Sequence, residues 1–186
     1  MMKISSATLA TALLVALAVP AFPADSASKT SEQGSDRVEV SYKDPEKFTD
    51  VKDSSMGSDR DRENYLSLLK THLEERGAKE IPDGAKLSVT ISDVDMAGDF
   101  EPWRGPQFND VRVVKEIYPP RIHLTFKLTG SDGSVLKEGE RKLSDLSFQM
   151  NATPAFSNDS LKYEKSLLDN WLRNEFTDVK TAKEKK

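Results

Sequence analysis

The chain has no cysteine among its 186 residues, and that absence excludes three things. No disulfide can staple the fold. No thiolate is available as nucleophile or zinc ligand. No lipobox cysteine is present to carry a lipid anchor. A concentrated basic face is missing as well. Acidic and basic residues interleave, the formal net charge is −4, and the one basic cluster is Lys180, Lys183, Lys185 and Lys186, which reads as a solvated tail. Nucleic-acid binding needs a basic surface, so the pattern argues against it. Long apolar runs are also rare. The one that occurs, Ala7 through Val19, follows Lys3 and closes at Pro20-Ala-Phe-Pro-Ala24. It falls short of the roughly 20 residues that span a bilayer and has the three parts of a secretory signal peptide. We expect residues 1–24 to be that signal, with cleavage between residues 21 and 27. The product would be a periplasmic, soluble protein that is not a lipoprotein and has no membrane anchor.

What remains is patterned like one ordinary domain. Residues 25–36 are small and polar and read as a disordered lead-in. Val38, Val40 and Tyr42 alternate with Glu39 and Ser41 as a half-buried strand. A helix follows, with Ser58 or Asp59 as N-cap, an apolar stripe of Tyr65, Leu66, Leu69 and Leu73, and Gly77 as its stop. Leu87, Val89 and Ile91 mark a second strand. Ala97 to Asp110 is a Gly/Pro-rich excursion. Ile122, Leu124, Phe126 and Leu128 form the clearest strand of all, and Asp132-Gly133 predicts a type I′ hairpin into a return strand over Val135–Leu143. Ser160 is placed to cap a last helix bearing Leu161, Leu167, Leu168, Trp171, Leu172 and Phe176. The order predicts an α+β fold in two layers. A mainly antiparallel sheet would be covered on one face by two amphipathic helices, with the domain spanning residues 37–178 and the tail 179–186.

Four strings carry a family resemblance. They are Val38-Glu-Val-Ser-Tyr-Lys-Asp-Pro-Glu-Lys-Phe-Thr-Asp50, and Ile81-Pro-Asp-Gly-Ala-Lys-Leu87 leading into Ser92-Asp-Val-Asp-Met-Ala-Gly98. Asp110-Val-Arg-Val-Val114 with Tyr118-Pro-Pro-Arg-Ile122, and Tyr163-Glu-Lys-Ser-Leu-Leu-Asp-Asn-Trp171, complete the set. In this order they resemble a family of exported proteobacterial proteins called domain of unknown function 3016. Where the family pattern reads Asp-Leu-Ala-Gly, this chain has Asp95-Met-Ala-Gly98. The resemblance implies an exported setting; it carries no activity and no catalytic residues.

Three groups of side chains are candidates for chemistry. Asp93 and Asp95 share the strand period of Leu87, Val89 and Ile91, so the period aims both toward the core. Buried carboxylates need a metal or a partner. A divalent cation held by Asp93, Asp95 and Asp99, with Glu101 or Asp110 adding oxygens, is one reading; ion pairs with Arg104, Arg112 or Arg121 are the structural alternative. In the latter, the strands carrying Arg112 and Arg121 neighbour the acidic strand. Phe100, Trp103, Arg104 and Phe108 lie on one loop and are typical interface material. His72 and His123 read as exposed, and no Gly-x-Ser-x-Gly elbow occurs. No cofactor is implied unless the cation is real. The leading functional reading is therefore a non-catalytic envelope accessory protein binding an envelope partner. A metal-binding protein or metal-dependent hydrolase, and a carrier of a small ligand between helices and sheet, are the alternatives.

Overall fold

Alternation decides which face each strand buries. The computed structural model describes residues 36–152 and 158–184. The expected signal peptide, the lead-in before Asp36 and the last two residues of the tail lie outside them. β1 (Val38–Tyr42) buries Val38 and Val40 and turns Glu39 and Ser41 to solvent. α1 (Asp59–Glu80) starts at Ser58, whose Oγ accepts from Asp61 N at 3.1 Å, and buries Leu66, Leu69 and Leu73. Gly77 does not stop it, contrary to expectation. The helix runs on to Glu80, and Ile81 N donates to Gly77 O at 3.0 Å. The glycine serves close approach, since a Cβ there would stand 3.3 Å from Val38 Cγ2.

β2 (Lys86–Asp95) returns parallel to β1, with Val38 beside Leu87 and Val40 beside Val89. A crossover helix is what a parallel pair requires. After the short strands β3 (Asp99–Phe100) and β4 (Arg112–Val113) come β5 (Arg121–Thr129) and β6 (Val135–Ser144), antiparallel to each other, with β5 antiparallel to β2. The main sheet is ordered β1-β2-β5-β6, and β3 and β4 form a separate pair. The hairpin departs from type I′. Gly133 alone of its residues is left-handed, at φ 83°. Asp132 Oδ1 instead accepts from Ser134 N at 3.0 Å and Ser134 Oγ at 2.7 Å, an Asx turn that keeps Asp132 at negative φ.

α2 (Phe148–Asn151) is a single turn, and α3 (Lys162–Glu184) closes the fold. Asp159, not Ser160, prepares its start, accepting from Leu161 N at 2.8 Å. α3 also passes the expected boundary at 178. Its helical period carries Val179 back onto the core, and Lys180 Nζ donates to Lys79 O at 2.7 Å. The fold is thus α+β. Both long helices share one core cluster with the sheet's inner face, from Val38 and Leu87 through Leu124 to Leu168 and Phe176. Trp171 and Phe176 both meet the Phe126 ring edge-on, with centroids 5.6 Å apart in each case. The outer face keeps Glu39, Ser88, Lys127 and Glu138 exposed.

One inner edge of the sheet is polar. Opposite Leu128, Phe126 and Leu124, β6 places Lys137, Gly139 and Arg141. Arg141 grips the buried Glu175 of α3 with two bonds of 2.8 Å, and Lys137 Nζ lies 2.9 Å from the same carboxylate. Burial lifts the Glu175 carboxyl, but the two cations outweigh it and hold the group below its ordinary range. α3 is therefore clamped to β6 by charge, beside the apolar stripe that packs on the core.

Candidate functional site

The acidic end of β2 does not point into the core. β2 and β5 pair in register as far as Ile91 and Leu124, then slip by one residue and resume with Asp93 opposite His123. The extra residue reverses the parity. Val94 and Met96 become the buried positions, while Asp93 and Asp95 turn to the other side. Burying a valine in place of two carboxylates is what favours the bulge. It is fixed by residues 49–51, which run beside the strand end: Asp50 N donates to Val94 O at 3.0 Å, and Met96 N to Asp50 O at 3.1 Å.

Each predicted acidic residue has a protein partner. Asp93 accepts from Thr49 N at 2.8 Å and Thr49 Oγ1 at 2.9 Å. Asp95 meets Arg121 at 2.8 Å, directly across the ladder. Partial burial pushes the Asp95 carboxyl above its ordinary range, and Arg121 opposes that only in part. Asp99 accepts from the adjacent Phe100 N at 2.7 Å. Among the described residues, no group of three or more His, Asp or Glu side chains is placed to hold a metal ion.

Arg112 is not beside β2. Its two-residue strand pairs with β3, because the excursion folds on itself. Its guanidinium bonds Asp50 at 2.8 and 3.1 Å, and also Gly98 O at 3.0 Å and Lys52 O at 2.7 Å. It lies 4.6 Å over the centre of the Phe100 ring. Asp50 is the partner that sequence reasoning missed. It sits 62 positions away, in a stretch with no periodicity. Asp50, Asp95, Asp99, Lys52, Tyr118 and Arg121 all line one polar pocket of about 320 Å³.

A second buried carboxylate braces the excursion. Glu101, 2% exposed, accepts from Lys115 Nζ at 2.5 Å and Tyr118 OH at 3.1 Å, and Arg104 lies 3.5 Å from its other oxygen. The Lys115 bond holds the Glu101 carboxyl below its ordinary range. Glu164 of α3 reaches the root of the loop from beneath, accepting from Ala97 N at 2.7 Å. Burial lifts its pKa to about 7, and its second oxygen has no partner.

The loop residues expected to work together divide into two sets. Phe100 is buried and serves as an anchor under Arg112. Phe108 is half-buried, with Arg104 5.5 Å over its ring. Trp103 projects outward, 71% exposed, and is joined by Ile117 at 69%, which sequence reading passed over along with the exposed Val111 and Val114. Their signal was there: apolar residues between Pro106 and Pro119-Pro120, beside a strand of only two residues. His72 is not exposed. Its Nε2 lies 2.9 Å from the buried Asp169, which also accepts from Arg76 at 3.2 Å, because the rim of the α1 stripe faces α3. His123 is half-buried in the ladder between Asp93 and Lys142.

A family model described as a protein of unknown function, DUF3016, matches residues 36–174. The chain belongs to that family. The matched span takes in the whole sheet, both braces of the excursion and α3 as far as Asn174, so the DUF3016 domain contains every residue of the site just described. No curated protein and no solved structure gives a significant match. No helix of the described residues is long and apolar enough to cross a membrane.

Proposed function

We propose that this DUF3016 protein is an exported, non-catalytic binding protein of the cell envelope, which holds a protein partner on the outer surface of residues 97–118, the Ala97–Asp110 excursion together with β4 and the turn that follows it. The observation that carries the reading is exposure combined with bracing. Trp103 and Ile117 stand in solvent on a segment tied down by Arg112–Asp50, Lys115–Glu101 and Tyr118–Glu101. Exposed aromatic side chains on ordinary loops lose entropy when a partner orders them. Here the backbone that carries them is already braced in the free protein, so less is lost on binding, which favours affinity. The candidate acids are already paired with protein donors, so the excursion offers shape and apolar area rather than a reactive group.

The test uses the full chain in its native host. A photo-crosslinking residue at Trp103 or Ile117 is expected to give the same discrete adduct, and one at Lys127 on the outer sheet face is expected to give none. Trp103→Ala combined with Ile117→Ser should abolish partner retention on the immobilised mature protein without lowering its melting temperature. An unchanged set of retained proteins would sink the reading. Export is tested separately by the mass of the mature protein, whose first residue should fall between positions 22 and 28.

A further inference from the structure

The carboxyl of Glu164 is buried where residues 97–118 leave the sheet. Its side chain projects from the first turn of α3 and is 1% exposed. Oε1 accepts from Ala97 N at 2.7 Å, and Oε2 is buried without a protein partner. Ala97 follows closely on the end of β2, so this bond ties the start of the segment to α3. The next residue ties that start to the segment's far end. Gly98 N donates to Tyr118 O at 3.0 Å, and Gly98 O accepts from Arg112 at 3.0 Å. The root of residues 97–118 therefore closes over one buried, titratable group.

A neutral carboxyl is buried at modest cost, whereas a carboxylate needs donors or a cation. The charges that reach Glu164 do not meet that need. From β4, Arg112 favours the anion, but its guanidinium is committed to Asp50, Gly98 O and Lys52 O. From the approach to α3, Asp159 opposes the anion, and Asp159 is itself paired with Lys165. On α1 the titratable neighbours are Tyr65, which bonds the Ser160 side chain and stays neutral, and His72, which bonds Asp169. Burial is the largest influence on Glu164 and lifts its pKa to about 7. In an opened root the carboxyl meets water and returns to about 4.3. The closed root is therefore fully favoured below that value, and its advantage is lost as pH rises to about 7.

We propose that Glu164 is a proton-operated latch on the docking segment: the neutral carboxyl holds the root of residues 97–118 closed, and ionisation favours an opened root that no longer braces Trp103 and Ile117. Its effect on binding rests on the docking role proposed above, but the opening is read on the protein alone. Amide hydrogen exchange, corrected for its intrinsic pH dependence, measures how often Ala97 N and Gly98 N are exposed. That exposure should rise roughly thirtyfold from pH 5 to pH 7 and level off above. Both amides should exchange faster than those of Leu124 and Phe126 in the sheet, at rates that low denaturant leaves unchanged, the mark of a local opening. Glu164→Gln keeps an oxygen for Ala97 N and cannot ionise, so the rise should vanish. Glu164→Ala removes the acceptor and should leave both amides exposed at every pH. In the wild-type protein, the ¹³C carboxyl resonance of Glu164 should titrate well above those of exposed glutamates. The latch is refuted if exposure of the two amides does not change from pH 5 to pH 7, or if the Gln variant shows the same rise. It is equally refuted if both amides exchange only together with Leu124 and Phe126, or if Glu164 titrates with the exposed glutamates. A refuted latch leaves the crosslink expected at Trp103 untouched, and a failed crosslink leaves the latch standing.

Discussion

Replacing Arg112 with alanine removes four hydrogen bonds and a ring contact in one step. It leaves Asp50 facing the space the guanidinium filled. The two side chains are 16% and 10% exposed, so this is a buried pair and not a surface one. Deleting one partner of a buried pair costs about 3–5 kcal/mol, against about 0–1 kcal/mol for an exposed pair. The carbonyls of Gly98 and Lys52 lose a bond each as well, which water in the polar pocket they line replaces in part. We expect Arg112→Ala to cost about 4 kcal/mol, a large part of the roughly 5–15 kcal/mol that holds a domain together. Arg112→Lys should cost about 2 kcal/mol, since a point charge cannot grip two oxygens and two carbonyls at once. Urea melts measure both, with an unchanged slope showing that the native state is intact. Amide exchange across residues 97–118 should quicken in the alanine variant. A double-mutant cycle with Asp50→Ala should show coupling of about 2 kcal/mol or more. An Arg112→Ala cost below about 1 kcal/mol, or additivity with Asp50→Ala, would refute the brace.

Glu164 makes stability fall with rising pH. Its folded pKa of about 7 lies above the unfolded value near 4.3, so its contribution is fully present below that value and is lost by about pH 7, a loss of about 3 kcal/mol. Denaturant melts at pH 5 and pH 8 should show Glu164→Gln flattening that dependence; an equal slope in both proteins would refute it. Glu175→Gln should cost about 2 kcal/mol in the same assay, less than a fully buried break because Arg141 and Lys137 are 38% and 32% exposed and regain water. Arg121→Ala should cost no more than about 1 kcal/mol, because its guanidinium is half exposed on a single bond to Asp95. Trp103→Phe should remove the red-shifted part of the fluorescence and shift stability by less than about 0.5 kcal/mol, leaving the blue emission of buried Trp171.

Periodicity along the chain was enough to specify the elements that bury a regular stripe. Val38 and Val40, Leu87 to Ile91, Ile122 to Leu128 and the two helical faces follow from period alone, since each apolar residue must reach the same core. The sequence also carried the family, through strings such as Ile81 to Leu87 and Tyr163 to Trp171. The tertiary structure decided what a period cannot express. One extra residue after Ile91 turned Asp93 and Asp95 away from the core, because residues 49–51 pair with the strand end and Val94 is the cheaper group to bury. Arg112 found Asp50 rather than the β2 carboxylates, since a guanidinium's partner is set by where the loop returns and not by spacing along the chain. Gly77 became a contact instead of a stop, and Lys137 and Arg141 became inner residues of the sheet, because α1 crosses β1 at one point and Glu175 of α3 stands beneath the other edge. These are encounters between residues far apart in sequence, and their energies exist only once the layers have met.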